Sequence, residues 1–123
     1  MEFMRPELVV IESPYAGDVE RNLRYLRAAM ADSLARGEAP FASHAIYTQP
    51  GVLRDEVPEE RQKGIAAGFA WGRVAETRAF YVDLGWSSGM KAGLEEAMRL
   101  GQLVERRTLP GWWVPARPDT KEG

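Results

Sequence analysis

The sequence has no cysteine and a single histidine, His44. The first absence excludes disulfides, thiolate metal sites and cysteine nucleophiles, and it fits a reducing compartment. The second excludes a multi-histidine metal site built by one chain. No apolar run approaches the roughly 20 residues of a membrane-spanning helix. Met1 to Pro6 lacks an apolar signal core, so a cytoplasmic location with no membrane partner is expected. Lys and Arg number 16 against 18 Asp and Glu, a net charge of −2. That balance gives no basic field for nucleic acid. Neither a GxGxxG nor a GxxxxGKS/T motif occurs, so no dinucleotide fingerprint or P-loop is supported, and no cofactor or metal is expected.

What remains is ordinary globular material. The 123 residues are 45% hydrophobic and 28% charged, which suits one domain. Its expected extent is residues 1–115, followed by a disordered tail over 116–123.

The apolar pattern changes period along the chain. Leu8-Val9-Val10-Ile11 is a short β-branched run, the mark of a strand buried on both faces of a parallel sheet. Ser13-Pro14-Tyr15-Ala16-Gly17-Asp18 interrupts it, with Asp18 as an N-cap. Val19, Leu23, Leu26, Met30 and Leu34 then repeat at helical spacing as far as Gly37, a good stop. Ala39 to His44 reads as a weaker strand, with Pro40 confined to its start or to an edge. A long loop through Gln49-Pro50-Gly51 leads to Pro58-Glu59-Glu60, a helix start, and that helix is expected to run to about Val74. Thr77 to Leu84 reads as a strand rich in β-formers. A helix from Met90 to Leu100 and a last edge strand from Leu103 to Leu109 complete the order βαβαβαβ. Such alternation predicts an α/β three-layer sandwich with a parallel sheet of four to five strands, ordered 2-1-3-4 with any fifth strand at the end.

Two stripes of small residues stand out: Gly64, Gly68 and Gly72 on one helix, and Gly89, Gly93, Ala97 and Gly101 on the next. Each interior helical glycine costs roughly 0.5–1 kcal/mol relative to alanine. Close backbone approach offsets that cost, either inside the subunit, at a subunit interface or against a ligand.

In a doubly wound sheet the ligand crevice lies beyond the C-terminal strand ends, where strand order reverses. Here it falls between the first and third strands, at Ser13 to Asp18 and Asp83 to Gly89. Ser13, Tyr15, Ala16 and Gly17 come from the first loop. Ser87, Ser88, Gly89 and Met90 open a helix, whose free amides suit a phosphate or carboxylate; alternatively, Ser87 or Ser88 is simply an N-cap. Tyr15 either contacts a base or sugar or packs. His44 is either a site residue or a hydrogen-bonded structural one. Asp83 either holds a ribose hydroxyl or base amide or caps a turn. Arg61 is a candidate anion partner, with Glu59 and Glu60 competing for it.

Ile11 to Asp18, the arginine-rich first helix, Pro40-Phe41-Ala42-Ser43-His44, Glu60-Arg61-Gln62-Lys63-Gly64 and Ser88-Gly89-Met90 together resemble the nucleoside 2-deoxyribosyltransferase-like superfamily. The likeness is to its small uncharacterised bacterial and phage members, over about Leu8 to Leu109. The resemblance implies a flavodoxin-like, Rossmann-like fold and a nucleoside or nucleoside-monophosphate site in the same crevice. It also implies dimers or larger homo-oligomers. Enzymes of that superfamily cleave or exchange the N-glycosidic bond through a glutamate nucleophile four residues after the helix-start glycine. Counted from Gly89, that position is Gly93. Glu95 and Glu96 lie about 200° and 300° around the helix from it. Asp83 and Glu96 are the weak substitutes.

The expected function is therefore binding of a nucleoside, nucleoside monophosphate or related small molecule, as a sensor or sequestering module without the usual nucleophile. The alternative is an N-glycosidase or deoxyribosyltransferase with a relocated acid, and a third reading is an assembly protein that keeps only the fold. The adjacent Trp112 and Trp113 point to opposite faces of an extended segment, which favours a homo-oligomer.

Overall fold

The computed structural model describes residues 5–111. The tandem tryptophans 112 and 113 and the expected tail over 116–123 lie outside the described residues.

Four strands form one parallel sheet: β1 (Leu8–Glu12), β2 (Ala39–Phe41), β3 (Thr77–Tyr81) and β4 (Leu103–Arg107), in the order β2-β1-β3-β4. Helices flank this sheet in the three-layer, flavodoxin-like arrangement. They are α1 (Val19–Ala35), the short α2 (Ser43–Ile46), α3 (Pro58–Gly72) and α4 (Ser88–Leu100). No helix among the described residues is long and apolar enough to cross a membrane.

Side-chain parity divides the sheet into two unlike layers. Val9, Ile11, Ala79 and Tyr81 face α1, where they pack with Tyr25, Leu26 and Ala29 in an apolar core. Val10, Glu12, Arg78 and Phe80 point to the other face. There the guanidinium of Arg78 lies beside Phe69 of α3 and the Gly93 carbonyl of α4. This second layer buries the Glu12–Arg78 pair, while on the first Arg107 is buried beside Tyr81 and pairs with Glu38.

The helix ends follow their capping chemistry. Asp18 accepts a hydrogen bond from the Arg21 amide at 3.1 Å and opens α1. Gly37 takes φ 84° just beyond α1, and Gly101 takes φ 66° as the cap of α4. Both are left-handed conformations that glycine adopts without strain.

Several expected boundaries move. β2 stops at Phe41, and Ser43 and His44 belong to α2 rather than to a strand. Ala42 is still extended, but Ala45 donates back to its carbonyl and starts a helical turn. β3 ends at Tyr81, not Leu84, because Asp83 is drawn into hydrogen bonds with Tyr25. β4 ends at Arg107, not Leu109, because the Leu109 amide turns to Asp83. α3 ends at Gly72, not Val74, and α4 begins two residues before Met90. Four strands are present among the described residues, with no fifth.

Candidate functional site

A cleft of about 160 Å3 opens at the C-terminal ends of β1 and β3. This is the point of strand-order reversal, where open α/β sheets place their ligands. Its walls come from five parts of the chain. The end of β1 and the loop after it supply Val10, Glu12, Ser13, Tyr15 and Ala16. α2 and the long loop supply Ser43, His44, Tyr47, Thr48, Leu53 and Asp55. α3 supplies Glu60, Arg61, Gly64, Ile65, Gly68 and Phe69, and the start of α4 supplies Ser87, Ser88, Gly89 and Ala92.

The first loop is fixed from below. Asn22 of α1 donates its side-chain amide to the carbonyls of Tyr15 and Ala16 at 2.9 and 3.1 Å. Ser13 Oγ and His44 Nε2 share a hydrogen bond of 2.8 Å across the cleft wall. Burial pushes the His44 imidazole down to about 4, so the ring is neutral at physiological pH. An imidazole that weakly basic suits positioning better than proton abstraction.

The start of α4 combines both expected roles. Ser87 is the N-cap: its Oγ accepts from the Met90 amide at 3.2 Å, and its own amide donates to Met90 Sδ at 3.5 Å. Ser88 and Gly89 follow at the open end of the helix, exposed on the cleft wall. The first-turn amides there have no intrahelical acceptors, and the positive end of the helix faces the cleft.

Glu12 lines the cleft, and Arg78 lies buried behind it. Arg78 is 1% exposed and donates from Nη1 to Glu12 Oε2 and to the Gly93 carbonyl, both at 3.3 Å. Its Nε donates to Gln102 Oε1 at 3.1 Å, and Gln102 in turn donates to the carbonyls of Gly72 and Ala75. Arg78 Nη2 is buried with no hydrogen-bond partner. Burial raises the Glu12 carboxyl, Arg78 offsets part of that rise, and the net value is about 7.

The small-residue stripes are explained by these neighbours. A Cβ at Gly93 would lie 2.5 Å from Glu12 Oε2, and one at Gly72 would strike Arg78 Nη2. At Gly68 it would sit 2.7 Å from Ser43 Oγ, and at Gly64 3.3 Å from Leu53. These four glycines serve close approach within the subunit. Gly89 has open space and lines the cleft.

The structure brings Ser13, Tyr15, Ala16, His44, Ser87, Ser88 and Gly89 to one cleft. It leaves others out. Gly17 adopts φ 97° in the turn before α1 and does not line the cleft. Met90 is buried as the capping partner of Ser87. Gly93 lies behind Glu12 rather than on the wall. Asp83 is turned away: its Oδ2 accepts from Tyr25 Oη at 2.7 Å and from the Leu109 amide at 2.9 Å. Glu96 pairs with Arg99 and Arg73, away from the cleft, and the Arg99 hydrogen bond holds its carboxyl below the ordinary value. Neither weak substitute for the nucleophile reaches the crevice. Arg61 does line it, but its partner is Asp55 at 3.1 Å, while Glu60 is held by Arg54 at 2.8 Å. Glu95 is exposed.

Sequence reasoning missed Glu12 as a site residue, and with it Tyr47, Leu53, Asp55 and Phe69. For Glu12 a signal existed: an acid ends one strand buried on both faces, and a base stands inside the next. Such charges persist in a core only when paired. Among the described residues no cluster of three or more Asp, Glu or His is placed to hold a metal ion.

A family model described as Domain of unknown function (DUF7768) matches residues 7–107. The chain belongs to that family. The matched span begins one residue before β1 and ends on the last residue of β4. The DUF7768 domain is therefore this whole sheet with its helices, and the cleft lies entirely within it. No curated protein matches the chain.

Proposed function

We propose that the cleft binds a nucleoside or nucleoside monophosphate. The observation that carries the reading is the pairing of two unlike walls. The start of α4, with Ser88 and Gly89, offers amides and a hydroxyl to an anion. Tyr47, Leu53, Ile65 and Phe69 line the same cleft with apolar and aromatic surface suited to a planar base. A phosphate at the helix end and a base on the apolar wall use both features.

The test is a thermal-shift and calorimetric comparison of nucleosides with their 5′-monophosphates. Ligand at a hundredfold excess over Kd stabilises the fold by about 2.7 kcal/mol. The monophosphate is expected to bind more tightly, and Ser88→Ala to narrow the gap, since a hydrogen bond to a charged group is worth about 1.5–3 kcal/mol. Equal affinity of the wild type for both ligands sinks the phosphate assignment. No shift across the panel sinks the whole reading.

A second reading is cleavage of the N-glycosidic bond, and one observation favours it. The Glu12 carboxyl fills the space beside Gly93, the position that the superfamily resemblance gives to its nucleophile. Chromatography of the same mixtures for released base separates an enzyme from a binding module. Homo-oligomeric assembly belongs to the same proposal. Trp71, Val74 and Met98 are 53%, 60% and 69% exposed, which supports it. A monomer mass by light scattering at micromolar concentration would refute it.

A further inference from the structure

We propose that Glu12 is the residue of this cleft that contacts the ligand's sugar, accepting its hydroxyl hydrogen bonds through Oε1, and that buried Arg78 is the positioning residue that holds it there. The inference rests on the nucleoside reading above and assigns its sugar subsite.

Three observations carry it. The two oxygens of Glu12 are in different situations: Oε2 faces Arg78, whereas Oε1 has no protein partner among the described residues and the side chain keeps 17% of its surface exposed. An accessible carboxylate oxygen on a cleft wall is an acceptor left for whatever enters. Second, the surroundings are cut to this carboxyl. Gly93 gives up its side chain to Oε2, Gly72 gives up its own to Arg78, and Gln102 fixes the guanidinium through Nε. Third, the spacing fits. Gly89 stands at the open end of α4, and Gly93, against which Glu12 rests, lies one turn along the helix. Four residues rise about 6 Å. In a nucleoside monophosphate that distance from the phosphate reaches the ribose ring and its hydroxyls.

The ionised carboxylate is the stronger acceptor, so affinity rises as Glu12 loses its proton. Other groups around Glu12 set the background. Arg78 stands on β3 and Arg61 on α3, where Arg61 is engaged by Asp55. His44 on α2 is already neutral. Glu60 on α3 is held ionised by Arg54, and Glu96 on α4 by Arg99.

The experiment is isothermal calorimetry of adenosine, 2′-deoxyadenosine and adenosine 5′-monophosphate against wild type, Glu12→Gln and Gly93→Ala. Adenosine has no group of its own titrating near neutral pH, so its profile reports the protein. Wild-type affinity for adenosine should rise at least severalfold from about pH 6 to about pH 8. Glu12→Gln should flatten that rise and weaken adenosine about tenfold at the upper pH, with a smaller loss for the 2′-deoxy compound, which offers one hydroxyl fewer. Gly93→Ala, which displaces the carboxyl without removing it, should weaken adenosine similarly, and adding it to Glu12→Gln should cost little more. Arg78→Lys should move the midpoint of the profile upward, because a less closely held cation offsets less of the burial; a variant that only loosened the fold would leave the midpoint in place. If adenosine and its monophosphate bind wild type and Glu12→Gln equally with the same profile, the nucleoside reading stands and the Glu12 assignment falls. If neither ligand binds wild type at any pH, the nucleoside reading falls and takes this inference with it.

Discussion

Tyr25 and Asp83 hold each other by two hydrogen bonds of opposite sense. Tyr25 Oη donates to Asp83 Oδ2 at 2.7 Å and accepts from the Asp83 amide at 2.8 Å. The same carboxylate oxygen accepts from the Leu109 amide. One pair of residues thus ties α1 to the chain just after β3 and just after β4. Burial, with Asp83 as the next cause, pushes the Tyr25 phenol well above its ordinary value, so it remains a donor. Removal of the hydroxyl in Tyr25→Phe should destabilise the fold by about 1–2 kcal/mol. Asp83→Ala should cost at least as much, because it removes the acceptor of both the Tyr25 hydroxyl and the Leu109 amide. Urea denaturation measures both, and equal midpoints for Tyr25→Phe and wild type would contradict the assigned role.

Glu38 and Arg107 form the second long-range tie, with Nη1 and Nη2 donating to the two carboxylate oxygens at 2.8 and 2.7 Å. Burial alone would raise the Glu38 carboxyl, but the hydrogen bonds from Arg107 and Ser33 outweigh it and hold the group below its ordinary value. Its stabilisation is therefore present above the unfolded-state value and is lost as pH falls through the lower folded one. Glu38→Ala should cost roughly 3 kcal/mol near neutral pH, because it strips a buried guanidinium of its bidentate partner. The gap from wild type should shrink in acid. A gap independent of pH would show that Arg107 does not depend on Glu38.

Glu12 should give the opposite dependence. Its carboxyl is raised from an ordinary 4.5 to about 7 by burial. The folded state then binds the proton more tightly than the unfolded state, so stability declines as pH rises between those values. Glu12→Gln carries no such charge. Relative to wild type it should gain roughly 2–3 kcal/mol on going from about pH 5 to about pH 8. Parallel stability profiles for the two proteins would show that Glu12 is not raised.

His44 supplies a third dependence in a neighbouring window. Its imidazole is lowered from 6.5 to about 4. Here the unfolded state binds the proton more tightly, so stability is lost as pH falls from 6.5 toward 4. His44→Gln keeps a partner for Ser13 and should remove roughly 2–3 kcal/mol of that acid sensitivity. In wild type the His44 and Glu12 slopes oppose one another between about pH 5 and 6. The two single variants should therefore reveal slopes that the parent conceals.

Gly93→Glu looks inexpensive from sequence, since an interior helical glycine is usually improved by replacement. The structure reverses that expectation, because any Cβ there meets Glu12 Oε2 at 2.5 Å. The variant should lose about 1–3 kcal/mol through overpacking, with charge repulsion added. Combining it with Glu12→Ala should recover part of the loss. Failure of the second change to rescue the first would mean that the two positions do not share one space.

The order of elements and the sheet topology could be read from the sequence because each rests on local pattern: a β-branched run at Leu8–Ile11, a helical repeat from Val19 to Leu34, and Gly37 and Gly101 at the ends of two helices. The crevice followed from topology, and Ser13, Tyr15, His44 and Ser88 followed from the crevice. What could not be read depended on long-range pairing. Asp83 ends a strand as a site carboxylate would, yet Tyr25, 58 residues away in sequence, captures it. Ser43 and His44 extend a strand pattern, yet the chain turns into α2 after Ala42. Glu12 is separated from Arg78 by 66 residues, and only the folded sheet shows that Gly93 makes room for their pair.

The central place of β1 has a consequence for synthesis. Its two neighbours are β2 and β3, and Val9 pairs with Thr77. A ribosome adding about 5–20 residues per second takes on the order of several seconds to travel from one to the other. Throughout that interval Leu8–Ile11 is an apolar, β-branched ribbon with one open edge even after β2 has docked. A strand that ends with a neighbour on each side thus begins as an open-edged apolar segment of the nascent chain, available to chaperones and to self-association.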